Sequence, residues 1–338
     1  MHISLFLSNT IIGDFMCTAV TYRTKDFYFG RTLDYEFSYR EEVTVTPRNF
    51  PLSFLNMPAM DHHYAMIGIA YINRNYPLYY DATNEYGLSI AGLNFPGNAV
   101  YQPCMPNKDN VAPFELTPWL LGQCKTVDEA KKLLGNINLL DQAFSEELPL
   151  TPLHWLLSDR TQSIVLEPTA QGLNIYDNPV RVLTNNPPFP YHLYNLQNYI
   201  NLTAKTPVNR FSEELLLEPY SRGMGAMGLP GDLSSSSRFV RAAFTLHNSQ
   251  CSPDQISSIT QFFHILGAVA QQEGCVQINR KYEKTVYSSC CNTNKGIYYY
   301  KTYTNNQITA VDMHKENLNS GQLIEFPLRH DQIICYEN

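Results

Sequence analysis

The strongest constraint on this chain is a succession of short strand-like runs, each closed by turn residues and followed at once by the next. Residues 17–22 and 27–33 are rich in β-branched and aromatic side chains, and Glu42–Thr46 (EVTVT) alternates with period two. Residues 64–72 and 78–84 continue the pattern. Asn84-Glu85-Tyr86-Gly87 then supplies turn chemistry before 88–94 returns, which predicts a hairpin. Residues 153–159, 163–167, 173–176 and 180–184 read as a meander, and 285–290, 297–303 and 308–313 as a C-terminal set. Hairpin spacing excludes crossover helices and requires antiparallel pairing. Helical signals are few. Thr126-Val-Asp-Glu129 is a capping box opening a helix to about Leu134. Ser252-Pro253 reads as cap and first position of another, with Ile256, Ile259, Phe262, Phe263, Leu266 and Val269 on one face. Ser237-Arg238-Phe239 opens a third amphipathic helix. The expectation is an antiparallel α+β protein packed in layers.

Composition narrows the function. With 24 Lys+Arg against 31 Asp+Glu and no long basic run, the chain is unsuited to a phosphate backbone, so no nucleic-acid partner is expected. No apolar stretch approaches the ~18 residues of a membrane span. Eight irregularly spaced cysteines do not make a disulfide scaffold and indicate a reducing, cytoplasmic setting. No HExxH and no His/Cys spacing suits zinc, so neither metal nor cofactor is expected. Gly223-Met-Gly225-Ala-Met-Gly228 matches a dinucleotide-binding pattern but follows no strand, and Pro230-Gly231 breaks any helix behind it. Ser89 misses nucleophile-elbow spacing by one residue, His62-His63 read as loop residues, and Cys290-Cys291 as core cysteines on opposite faces of a strand.

The first sixteen residues, MHISLFLSNTIIGDFM, are apolar enough to suggest a signal. They carry no Lys or Arg, however, Asp14 interrupts the run, and Phe15-Met16 is a poor cleavage site. Two readings remain open: an over-long reading frame whose true start is Met16, or a processed leader. Either way residues 1–16 are expected to be absent from the mature protein, leaving 17–338. Cys17 would then carry a thiol and a free α-amine, with ordinary pKa values of roughly 8.5 and 7.7–8.0. The amine, directly or through a water, can act as base for the thiol without any histidine. Arg31 and Asp34, in Phe29-Gly30-Arg31-Thr32-Leu33-Asp34, place a cation that favours thiolate beside a carboxylate that can orient the amine, or form an ordinary ion pair. Asn94 and Asn185 each end a strand before a proline. That is common turn chemistry, or a pair of amide donors for an acyl oxyanion.

Taken together, these segments closely resemble the choloylglycine hydrolase family of N-terminal-nucleophile enzymes, which includes bile salt hydrolases and penicillin V acylases. The matching blocks run from Met16 to about Asn319: MCTAVTY, YFGRTLDYE, YYDATNEYGLSIAGLNFPG, LHWLLSD, VLTNNPPF, GLPGDLSSSSRFVRAAF, FFHILG, YSSCCN and KGIYYYKTY. The resemblance implies a single domain built as an αββα sandwich, two antiparallel sheets between helical layers, usually assembled as a homotetramer. It implies Cys17 as nucleophile, Arg31 and Asp34 as the pair that positions and tunes it, Asn94 and Asn185 as oxyanion donors, and Arg238 completing the polar cluster. Asparagine in GLNFP resembles the bile-salt branch, where the penicillin branch tends to carry tyrosine. The implied substrates are glycine- or taurine-conjugated bile salts, with a penicillin V or related N-acyl amide acylase as the alternative. If residues 1–16 stayed attached, the chain would only bind amphiphiles. An apolar steroid needs a greasy cleft, and Leu33, Met60, Tyr64, Phe95, Leu139, Leu140 and Phe144 are its candidate liners.

Overall fold

The computed structural model describes residues 16–338. The expectation for the leader falls outside them, except at Met16, the first residue of β1. The chain opens with β1 (Met16–Arg23), β2 (Phe27–Tyr35), β3 (Glu42–Thr46), β4 (Met66–Asn73), β5 (Tyr76–Asn84), β6 (Ser89–Asn94) and the short β7 (Asp109–Val111). Two helices follow, α1 (Leu116–Leu121) and α2 (Val127–Leu134). Next come β8 (Ile137–Leu139), β9 (Leu153–Ser158), β10 (Ser163–Thr169), β11 (Gly172–Asp177) and β12 (Val182–Leu183). Then come α3 (Phe189–Leu196), α4 (Ser235–Asn248) and α5 (Gln255–Gly267). The chain closes with β13 (Val276–Ile278), β14 (Lys281–Asn292), β15 (Ile297–Thr302), β16 (Thr309–Asp312) and β17 (Ile324–Pro327).

These strands form two large antiparallel sheets. The first has the order β12-β1-β2-β14-β15-β16, with β13 paired to β14; the second runs β11-β10-β9-β6-β5-β4-β3-β17. Helices α4 and α5 cover the outer face of the first sheet and α1 that of the second. One apolar core joins the facing sheets to α4 and α5; a second joins the outer face of the second sheet to α1 and α2. This is the expected αββα sandwich. Among the described residues no helix is long and apolar enough to cross a membrane.

Local chemistry sets the joints. Thr126 accepts the Glu129 amide at 3.2 Å and opens α2. Asn84 shapes the β5–β6 turn: its Oδ1 accepts from the Tyr86 and Leu88 amides, and its Nδ2 donates to the Leu121 and Cys124 carbonyls at the end of α1. Gly87 takes φ +88° in that turn, a conformation that favours glycine. Four expectations shift. The strand read as 64–72 begins at Met66 and the one read as 78–84 begins at Tyr76, joined by Arg74 and Asn75 in left-handed conformation. The α5 cap is Asp254, which accepts the Ser257 amide, so Ser252 and Pro253 precede the helix. Ile256 is 79% exposed and leaves the core face to Ile259, Phe262, Phe263 and Leu266. Helices α1 and α3 gave no periodic signal because both are short; Pro118 and Pro190 sit in first turns, where a missing N–H costs nothing.

Candidate active site

The hairpin β1–β2 pairs Cys17 with Leu33 and Met16 with Asp34, so the Cys17 thiol faces the second sheet and the Asp34 carboxylate faces α4. Gly30 permits this packing, because a Cβ there would stand 2.0 Å from the Ser289 carbonyl oxygen of β14. Cys17 is fully buried. Burial pushes its thiol up to about 11, against the pull of the Arg31 guanidinium.

Arg31 is also fully buried and donates through Nη2 to Cys17 Sγ at 2.5 Å. Its Nη1 donates to the Tyr80 carbonyl at 3.0 Å and to the Gly92 carbonyl, and its Nε to the Thr32 carbonyl at 3.2 Å. The Tyr80 carbonyl is available because the β4–β5 register slips there: Ile69 pairs with Asp81 and Ala70 with Tyr79, leaving Tyr80 as the extra residue of a bulge. A carbonyl freed from the ladder thus holds the arginine that touches the sulfur.

The amide side is equally tied. Cys17 N donates to Asn185 Oδ1 at 2.8 Å, and Asn185 Nδ2 donates to the Asn94 carbonyl at 2.8 Å. Arg238, buried in the first turns of α4, donates through Nη2 to Asn185 Oδ1 at 2.8 Å and through Nη1 to the Cys17 carbonyl and Thr18 Oγ1. Asp34 accepts from Thr285 Oγ1 at 2.6 Å and Thr32 Oγ1 at 3.1 Å; burial raises its carboxyl pKa. All six residues singled out in sequence therefore converge: Cys17, Arg31, Asn185 and Arg238 by side-chain contacts, Asp34 through its charge on Arg238 and Cys17, and Asn94 through its backbone carbonyl. Two further groups escaped sequence reading. His192 donates through Nε2 to the Asn185 carbonyl at 2.9 Å, and Asp81, behind Arg31, accepts from Tyr298, Tyr287 and Ser289 hydroxyls. Asp81 lies in mid-strand amid apolar residues, a signal of a buried partner that was available in YPLYYDATN.

A cavity of about 350 Å³ adjoins this cluster. Leu33, Tyr80 and Gly92 form part of its wall and connect it to Cys17 and Arg31; Tyr35, Tyr39, Tyr71, Tyr79, Phe114, Phe144 and Leu148–Leu150 form much of the rest. Of the expected liners, Leu33 and Phe144 are on this wall and five are not. Met60 bridges to Leu52, and Tyr64 packs edge-on against Tyr86. Phe95 stacks on His154 at 4.3 Å. Leu139 packs in the second core, and Leu140 is buried beside Gln102. Closeness in sequence to a motif residue does not put a side chain on this wall: Phe95 follows Asn94 directly yet is turned away onto His154. Of the tyrosines that do line the cavity, Tyr35, Tyr79 and Tyr80 fall inside matching blocks and Tyr39 and Tyr71 lie outside them.

The model of the linear amide C–N hydrolases, choloylglycine hydrolase family, matches residues 17–326. The chain belongs to the choloylglycine hydrolase family. Among its relatives, a bile salt hydrolase/transferase from Lactiplantibacillus plantarum is 57% identical over 94% of this chain and 98% of its own. Another from Clostridium perfringens is 40% identical over 91% of this chain and 95% of its own. A solved structure of a Cys-to-Ala mutant of conjugated bile acid hydrolase from Clostridium perfringens superposes with TM-score 0.88 at 37% identity, over 95% of this chain and all of the other. Penicillin V acylase from Agrobacterium tumefaciens, at TM-score 0.72 and 20% identity over 95% and 94% of the two chains, shares the fold. In this choloylglycine hydrolase family member, the nucleophile candidate, its arginine and the cavity wall occupy one contiguous region between the sheets.

Proposed function

We propose that this protein hydrolyses the amide bond of glycine- or taurine-conjugated bile salts, with Cys17 as its N-terminal nucleophile. The observation that carries the reading is the Arg31-held Cys17 sulfur beside a cavity walled largely by aromatic and aliphatic side chains, in a chain whose relatives are named bile salt hydrolases. An apolar steroid fits such a wall, and the amide bond then reaches the sulfur past Leu33 and Gly92.

The chemistry follows from the geometry once Cys17 is the first residue. The α-amine accepts the thiol proton and the thiolate adds to the amide carbonyl carbon. The Asn185 side chain and donors around Asn94 stabilise the oxyanion, each critical donor being worth ~3–4 kcal/mol. The intermediate collapses, the C–N bond breaks, and the α-ammonium returns its proton to the departing glycine or taurine nitrogen. Water then adds to the thioester with the amine again taking the proton, and the C–S bond breaks to free the bile acid. Arg31 holds the sulfur throughout, and Arg238 fixes Asn185 through its oxygen. The reading needs a reduced thiol, in keeping with a cytoplasmic setting; none of the eight cysteines is in a disulfide. It also treats 17–338 as one domain, working as a homotetramer.

The test is release of free glycine or taurine from glyco- and tauro-conjugates under reducing conditions, with penicillin V as comparator and intact mass identifying the first residue. We expect amino-acid release from a chain beginning at Cys17, a lower specificity constant on penicillin V, and no turnover by Cys17→Ala, which still folds and binds bile salts. No release from the conjugates, or wild-type turnover by Cys17→Ala, overturns the assignment.

A further inference from the structure

One carboxyl group that this chemistry leaves unused lies across the first sheet from the thiol. Met16, Asp34 and Thr285 are aligned across β1, β2 and β14, and paired residues project to the same face. Glu283, two residues before Thr285 on β14, projects with them. The β14 bulge at Val286 then turns Tyr287 to the other face, with Leu33 and Cys17 Sγ. Glu283 is fully buried, and among the described residues no side chain donates a hydrogen bond to its oxygens; the Met16 backbone amide is the donor that bears on it. A buried carboxyl with so little support costs stability, so this one can take a further donor.

Its surroundings show which donor. The charged groups acting on Glu283 are Asp34 on β2, Glu36 just beyond β2 and Arg238 on α4, together with the amide of Met16. On its own strand Lys284 is taken by Glu273, and Lys281 lies over Phe37. Thr285 and Gln271, the other polar neighbours of this face, are uncharged. Burial, followed by the Asp34 carboxylate, pushes Glu283 up to about 8. The pocket thus gathers three carboxyl groups around one arginine, which leaves carboxyl charge without a matching cation. Breaking the Met16–Cys17 bond creates a cation one residue along from the Met16 amide that bears on Glu283: the α-ammonium of Cys17, whose nitrogen donates to Asn185 Oδ1 as a backbone amide.

We propose that Glu283 is a positioning residue for the Cys17 α-amine, its carboxylate and that of Asp34 holding the freed nitrogen on the helix-facing side of the sheet while the thiol points into the cavity. This rests on Cys17 being the N-terminal nucleophile and adds the group that orients and tunes its base. A carboxylate beside an ammonium raises the pKa of the amine, and only the neutral amine can take the thiol proton.

The acid limb of the kcat/KM–pH profile on a glycine-conjugated bile salt reads that pKa. Glu283→Gln should move the limb down by about half to one pH unit. A carboxyl with a purely structural role leaves the limb in place, and a correctly processed Glu283→Gln with an unmoved limb overturns the proposal. A Glu283→Gln chain that retains Met16 by intact mass also overturns it, by placing Glu283 in leader removal instead. If Glu283→Gln does not fold, Glu283→Asp should move the limb in the same direction by less, and an unmoved limb is again fatal. Absence of turnover in the wild type, or an active wild type starting at Met1, sinks the proposed function itself and is seen before any Glu283 variant is made.

Discussion

At the scale of single residues, the site is built from groups whose ordinary ionisation is opposed by burial and restored by a named neighbour. Cys17 is the clearest case: burial alone makes thiolate scarce, Arg31 offsets part of that, and a base is needed for the remainder. His192 shows the opposite sign. Its ring stacks on Phe239 at 4.6 Å, its Nε2 donates to the Asn185 carbonyl, and burial lowers its pKa to about 4. In the unfolded chain a histidine takes up a proton near 6.5, whereas the native ring refuses one until about 4. The unfolded state therefore binds more protons across that window, and stability is lost as pH falls through it. His192→Gln keeps an N–H donor and cannot titrate. Its melting temperature should fall by a few degrees less than that of the wild type between pH 7 and pH 4.5. Thermal melts at both pH values check this, and parallel losses in the two proteins would refute it.

Elements reveal what the sequence could and could not announce. Strands β1, β2 and β3 and helix α2 were legible because alternation and a cap are local properties, decided within a few residues. The six residues of the site were legible for a related reason, since each falls in a distinctive motif, most of them near the end or the start of an element. The cavity wall was not. It depends on the bulge at Tyr80, which puts Tyr79 and Tyr80 on the same wall, and on loop residues such as Phe144 and Leu148 that the chain brings in from far away. The same holds for strand-to-strand distance. Gly30 in YFGRTLDYE reads as a weak point in a strand, yet it is where β2 and β14 approach too closely for any side chain. Gly30→Ala must push the two strands apart, displacing Arg31 and the Ser289 backbone together. We expect a loss of more than about 3 kcal/mol or failure to accumulate folded protein. Gly231→Ala, where no atom lies within 4 Å of the added Cβ and φ is ordinary, should be close to neutral. Urea denaturation of the two variants decides it; equal midpoints would refute the close-approach account.

At the scale of the whole molecule, the candidate site and the cavity wall described above come from the two sheets and nearby loops, and one feature they do not explain is on the surface. Between α3 and α4 the segment 200–227 has no regular structure beyond a short turn at Met224–Ala226. It exposes Ile200 at 80%, Phe211 at 81%, Leu216 at 90% and Tyr220 at 84%. Tyr191 and Tyr194, on α3 next to it, are exposed as well. Large apolar side chains exposed in such number along one segment are a usual mark of a protein–protein contact. A homotetramer assembled through this arm would account for it, since two or more arms could cover one another's leucines and aromatics. The prediction is that the wild type elutes as four chains by light scattering at micromolar concentration. The double variant Phe211→Ser, Leu216→Glu, which places a charge in the contact, should shift to smaller species. Because Cys17 and Arg31 belong to the sheets and the cavity-wall residues lie away from the arm in sequence, the dissociated form should still release amino acid from a conjugate. A monomeric wild type, or a double variant that remains tetrameric, would show that the arm is exposed for some other reason.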